Sequence, residues 1–161
     1  MATITKKKIL NQNQHGGVPY GNATRLPFRF QTNASGYYLD SDTPATAVGI
    51  GDKVRLGLLP AGMRLEDSLA IVSDAFTATA TAKIGFEYVD GVDSAAVPQD
   101  DDYFHAALAY NAAGRTRANN LAVAPVTLPK DAYLTLVNQA AALNAVGIID
   151  ILVEGVLTGA P

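Results

Sequence analysis

The sequence predicts an all-β fold class: a two-sheet antiparallel β-sandwich, jelly-roll-like, with an extended N-terminal arm. Three observations carry this. Residues Thr79 to Tyr88 alternate without a break, with Ala80, Ala82, Ile84, Phe86 and Tyr88 set against Thr79, Thr81, Lys83, Gly85 and Glu87. That period of two gives a strand one dry face and one wet face, whereas a helix would scatter the five apolar side chains around its circumference. Seven or eight short segments of this kind are separated by turn signals, and no segment of ten or more residues reads as a convincing helix. Burying Ile84 and Phe86 is worth about 1.5 to 3 kcal/mol each, so a second layer must cover the dry face.

From the N-terminus, residues 1–23 read as the arm and residues 24–161 as a single sandwich domain. The stretch NQNQHGGVPYGNA combines amides, a glycine pair and a proline, and cannot bury enough apolar surface to offset the entropy of ordering it. Thr24 to Thr32 sets Leu26, Phe28 and Phe30 against Arg25, Pro27, Arg29 and Gln31. Because Pro27 has no N–H for a ladder, this strand belongs at an edge. Lys53 to Leu59 follows, with Val54, Leu56 and Leu58 on one side, and Pro60-Ala61-Gly62 ends it. Met63 to Ser73 is the next strand, and Asp74 to Ala78 turns the chain into Thr79 to Val89. Asp90-Gly91 fits a tight turn. Val92 to Asn120 reads as a long functional loop with one short element around Tyr103 to Tyr110. Leu121 to Leu128 contains Pro125 and reads as a short strand near an edge, and Asp131 to Asn138 is rich in β-formers. Val146 to Leu157 closes the chain, with Ile149, Ile151 and Val153 sharing a face that belongs in the core.

A chain of 161 residues suits one domain. Hydrophobic residues make up 48% of it, yet it holds only 7 tyrosines, 5 phenylalanines and no tryptophan, which implies a core of small and branched aliphatic side chains. The absence of cysteine excludes disulfides, a thiol nucleophile and a thiolate metal site. No apolar run approaches the roughly 18 residues that span a bilayer, and MATITKKKILNQNQ lacks the apolar centre of a signal peptide, so synthesis in the cytoplasm and no membrane partner are expected.

The net charge of −3 conceals an asymmetry, because residues 1–39 carry +5 and residues 40–161 carry −8. A basic extension on an acidic body suits contact with an acidic neighbour, including another copy of the chain. Nucleic acid is the weaker candidate, since no aromatic side chain between Met1 and Val18 can stack on bases. The candidate partner-interface residues are Lys6, Lys7, Lys8 and Tyr20 of the arm, Arg25 and Arg29, the pairs Tyr37-Tyr38 and Tyr103-Phe104, and the loop bases Arg115 and Arg117. The aromatic pairs are candidates because aromatics dominate interface hot spots, with burial inside the body as the alternative. Arg115 and Arg117 can grip a partner's carboxylates through forked hydrogen bonds, with ordinary exposed loop arginines as the alternative.

Chemistry is sparse. Asp100-Asp101-Asp102, with Asp90 and Asp93 nearby, offers oxygens for calcium but does not match an EF-hand loop, and a solvated acidic loop is the simpler reading. His15 and His105 lack the spacing of a zinc site or a triad. Glu66, Glu87 and Glu154 fall on strands where a wet face explains them better than a glycosidase pair. No phosphate-binding loop is present. No catalytic, cofactor-binding or metal residue is assigned, and the chain is expected not to be an enzyme.

The stretch VGIGDKVRLGLLPAGMRLEDSLAIVSDAF, then TAKIGFEYVDG, AVPQDDDYF, VTLPKDAYLTLVNQ and the final IIDILVEGVL resemble the capsid decoration, or cement, proteins of tailed bacteriophages. The resemblance covers about residues 46–157 and is one of strands and turns. It implies a non-enzymatic β-sandwich bound in many copies to the outside of the expanded shell, with the major capsid protein and other copies of itself as partners. The location so implied is the virion's outer surface, after synthesis in the host cytoplasm. The rival reading is a carbohydrate- or receptor-binding sandwich of a phage tail or virion surface, with exposed tyrosines as sugar platforms and aspartates holding calcium.

Overall fold

A computed structural model describes residues 2–5, 23–42 and 46–157. Its strands are β1 (Thr3–Thr5), β2 (Ala23–Thr32), β3 (Lys53–Leu59), β4 (Met63–Asp74), β5 (Thr81–Tyr88), β6 (Asp100–Ala109), β7 (Gly114–Arg117), β8 (Val126–Thr127), β9 (Ala132–Gln139) and β10 (Gly147–Leu157). They form two sheets, ordered β1-β3-β9-β5-β6 and β2-β10-β4-β7, with β8 also on β4. No described residue is helical. One set of antiparallel pairs is nested along the chain, while β10 also pairs antiparallel with β4, and β9 with β5. In the nested set β5 meets β6, β4 meets β7 and β8, β3 meets β9, and β2 meets β10. The parallel pair is β1 on β3.

Alternation decides which side chains close the sandwich. Leu26, Phe28 and Phe30 of β2, Ala82, Ile84, Phe86 and Tyr88 of β5, and Ile149, Ile151 and Val153 of β10 are all buried. Pro27 sits in an edge strand, where its missing N–H costs no ladder bond. The short connection after β4 carries the chain from one sheet to the other, so β4 and β5 lie in different sheets rather than forming a hairpin.

Three expectations about the strands need correction. The 92–120 stretch holds two strands, β6 and β7, instead of a loop with one short element. β6 escaped notice because register shifts against β5 leave Tyr103, Phe104 and His105 buried in succession, which breaks the period of two. β7, reading GRTR, is exposed throughout and carries no apolar signal. Thr3–Thr5, assigned to the arm, are a strand of the body with Ile4 buried. The strand expected over Leu121 to Leu128 contracts to Val126–Thr127.

The core is also more aromatic than composition implied, since all five phenylalanines are buried. One cluster joins Phe30, Tyr38, Phe76 and Tyr110, with Phe30 and Phe76 stacked at 5.4 Å and Phe76 to Tyr110 at 4.6 Å. Another joins Phe86, Tyr88, Tyr103 and Phe104 through edge-on contacts of 4.9 to 5.8 Å. Gly85 occupies a wet position of β5 yet is buried, because the backbone of Asp100–Asp102 passes over it. A Cβ there would lie 2.0 Å from the Asp100 carbonyl oxygen.

Candidate assembly surface

Four of the predicted contact residues converge. Arg25 and Arg29 stand on the outward side of β2, and Arg115 and Arg117 on β7, at opposite edges of the same sheet. Between them the register sets Pro27 beside Leu152 and Leu152 beside Leu69, which pairs with Arg117. The next row outward runs Arg29, Asp150, Ile71, Arg115. A half-buried apolar strip of Leu69, Ile71 and Leu152 thus lies between two arginine borders.

Most of these arginines already have partners. Arg29 grips Asp150 with Nε and Nη2 at 2.7 and 2.9 Å, and Arg25 Nη2 reaches Glu154 Oε1 at 2.5 Å. Arg117 pairs with Asp67 and lies 3.7 Å from Glu154. Hydrogen bonding to Asp150 raises the pKa of Arg29 further above its ordinary value. Among the described residues Arg115 is the base of this group without an ion pair. Exposed pairs of this kind contribute at most about 1 kcal/mol each, so they leave the face open to exchange partners.

The second surface lies at one end of the sandwich, and sequence reasoning missed it. The loop after β5 (residues 89–99) and the segment between β7 and β8 (residues 118–125) wall an apolar groove of about 310 Å³. Phe86 and Tyr103 line it together with Val97, Pro98, Val123 and Val126. Within the same two segments, Leu121 is 97% exposed and Val92 62% exposed. Both walls are fixed by hydrogen bonds. Asp93 Oδ1 accepts from the backbone N–H groups of Ser94 and Gln99 at 2.8 and 2.7 Å, and the Tyr88 hydroxyl donates to the Val97 carbonyl at 2.5 Å. The Tyr103 hydroxyl donates to the Ala124 carbonyl at 2.9 Å, and Val126 N–H donates back to it at 3.2 Å. Lys130 Nζ ties the first loop down by donating to Asp90 at 2.7 Å and to the Val92 carbonyl at 2.5 Å. The bond from Lys130, with one from the Val92 N–H, holds Asp90 below the usual carboxylate range. The sequence signal was the apolar run LAVAPV in a turn-rich setting, which period-two reading took for a strand.

Three predicted anchors are corrected. Tyr38, Tyr103 and Phe104 are buried, so the alternative of packing within the body holds for them. Their rings complete the two aromatic clusters, where they exclude water from the sandwich interior. Burial raises the Tyr103 hydroxyl's pKa and, more strongly, that of Tyr38. Tyr37 is half-buried in a bridge to Ala47. Lys6, Lys7, Lys8, Tyr20 and His15 lie outside the described residues.

The candidate chemistry disperses. Asp100, Asp101 and Asp102 do cluster, with oxygens within 4.8 Å of one another. Lys83 Nζ stands 3.2 Å from Asp101 and 3.8 Å from Asp102, supplying the positive charge itself. Burial and then neighbouring Asp100 push the Asp102 pKa up. Asp90 and Asp93 do not join them, being engaged in the loop bonds just described. Glu87 lies on one sheet, bonded to Lys53 and Arg55, while Glu66 and Glu154 lie on the other with arginine partners. His105 is enclosed between the sheets against Ser68.

No protein-family model matches the chain, and no curated protein sequence matches it. Solved structures do. A chain from the capsid of Ralstonia phage GP4 superposes over 99% of this chain and 100% of its own length, at a TM-score of 0.62 and 17% identity. This is a fold found in phage capsids. A chain from the capsid asymmetric unit of cyanophage Pam1 agrees over 89% of this chain and 91% of its own, with a TM-score of 0.57 and 12% identity. At these identities the likeness lies in the sandwich itself, and the side chains of the surfaces described above are this chain's own.

Proposed function

We propose that the chain is a non-enzymatic structural protein of a phage virion that binds the outside of the expanded capsid and stabilises it by bridging major capsid subunits. The observation that carries this reading is Leu121, almost fully exposed in one of the two segments that wall the apolar groove. A large apolar side chain held in water at the tip of a braced loop fits a protein–protein contact, and the rigid walls keep the entropic cost of ordering that contact low. The capsid origin of the structural neighbours gives the class of partner, and the mixed-charge sheet face supplies a polar border for a second contact. Among the described residues Glu87 is separated from Glu66 and Glu154 by the two sheets and the clustered Asp100–Asp102 carboxylates are met by Lys83, which supports a structural rather than a hydrolytic role.

The test is co-sedimentation of purified protein with expanded, empty phage heads, using the native chain and Leu121→Asp. The reading expects saturable pelleting of the native chain and at least a tenfold weaker association of the variant, with an unchanged melting temperature. Equal pelleting of the two proteins would remove this end as the contact. Absence of binding by the native chain would remove the shell reading.

A further inference from the structure

The N-terminal strand takes its described hydrogen-bond partners from one short stretch of chain. Thr3, Ile4 and Thr5 lie in parallel register with Lys53, Val54 and Arg55. Ala2 N–H donates to Asp52 Oδ1 at 2.8 Å, and Lys53 N–H donates to the Ala2 carbonyl at 3.2 Å. At the other end Thr5 N–H donates to Asp42 Oδ1 at 3.3 Å, and the Thr5 carbonyl accepts from Asp42 N–H at 2.9 Å. Ile4 enters the core at the sheet margin and is 3% exposed. Each of these bonds goes to residues between 42 and 55.

Such a site recognises a short extended segment by its backbone, one apolar plug and two flanking carboxylates, which is the physics of strand addition to a sheet edge. It does not depend on which copy supplies the strand. Residues 6–22 separate Thr5 from Ala23, a length that extends to about 60 Å at roughly 3.5 Å per residue. Compact connections between strands run to a handful of residues, so this one is long for a link between neighbouring elements.

We propose that β1 is an exchangeable strand, able to leave its own β3 edge and occupy the identical edge of a second copy of the chain. Reciprocal exchange keeps every hydrogen bond and the Ile4 plug, and its cost is the difference in connection entropy together with the freedom lost when two chains associate. Where copies are crowded, the effective concentration of a neighbour's edge rivals that of the chain's own. The inference stands on the free chain and does not rest on the shell reading.

The test uses the absence of cysteine from the native sequence. Thr5→Cys and Arg55→Cys, partners in the register, are prepared as two single variants and as one double variant. The single variants are mixed at high concentration, unfolded and refolded together, then oxidised and separated without reductant. The expected result is a covalent Thr5→Cys/Arg55→Cys dimer, severalfold above the dimer formed by either variant alone. If the double variant closes its internal disulfide while the mixture gives only that background, exchange does not occur. If the double variant fails to close, β1 does not dock in this register and the proposal falls as well.

Discussion

Ser68 Oγ on β4 lies 3.2 Å from His105 Nε2 on β6, and both residues are fully buried, so one polar contact bridges the two sheets through the core. Burial dominates the imidazole and lowers its pKa, with Asn119 and Asp67 opposing more weakly. Between that lowered value and the ordinary value of about 6.5, the unfolded chain binds more protons than the folded one, so stability rises with pH across this window and falls on acidification. Urea midpoints measured at intervals from pH 7 to 5 are predicted to decline, and His105→Asn is predicted to flatten that slope whatever it does to stability at pH 7. An unchanged slope in the variant would assign the acid sensitivity to other groups.

Glu87 joins two neighbours on the outer face of its sheet, accepting from Lys53 Nζ at 2.6 Å and Arg55 Nε at 2.5 Å. Burial pushes its pKa up, but the hydrogen bonds from Lys53 and Arg55 outweigh burial and leave it lowered. The resulting stability is fully present above the ordinary carboxylate value of about 4.3 and is lost as pH falls through the lowered one. Glu87→Gln is predicted to cost about 2 kcal/mol at pH 7, in the range of hydrogen bonds to charged groups. The gap from the native chain should narrow below pH 4, which chemical denaturation at both pH values checks.

Asn138 is the polar node at the other end of the body. Its Oδ1 accepts from the Tyr110 hydroxyl at 2.6 Å, and its Nδ2 donates to the Gly49 and Ala141 carbonyls at 2.9 Å each. Asn138→Ala strands these groups in a buried site, and is predicted to cost about 3 kcal/mol or more. Adding Tyr110→Phe should cost less than it does alone, a non-additivity that a double-mutant cycle reads directly.

Gly36 and Gly91 both have positive φ, +74° and +69°, but differ in surroundings. A Cβ on Gly36 would lie 1.8 Å from the Leu143 carbonyl oxygen, whereas one on Gly91 would meet nothing within 4 Å. Gly91→Ala should therefore cost only the backbone strain of about 1 to 2 kcal/mol. Gly36→Ala adds a backbone clash and should melt several degrees lower than Gly91→Ala in thermal unfolding.

Strands that bury one face were legible because alternation follows directly from the pleat, and β2, β3, β5, β9 and β10 fall within a residue or two of their expected limits. β6 was hidden because its bulges bury consecutive side chains, and β7 because it buries none. The nested pairing depends on contacts between distant segments, which no local pattern encodes. For the same reason the sequence could nominate Arg25, Arg29, Arg115 and Arg117 singly but could not place them on one face. The aromatic pairs misled because a tyrosine serves a core and an interface equally well, and the 12 aromatic residues were too few to leave many for the surface. Leu121 was read as a strand residue because an apolar side chain in the sequence carries no mark of its exposure.

The most direct measurement is cryo-electron microscopy of expanded, empty heads saturated with the purified chain. The account predicts density for the sandwich at a fixed number of copies on the outer surface, with the Leu121 end against the junction of capsid subunits. Heads that bind no copies, or copies attached without that end in contact, would contradict it.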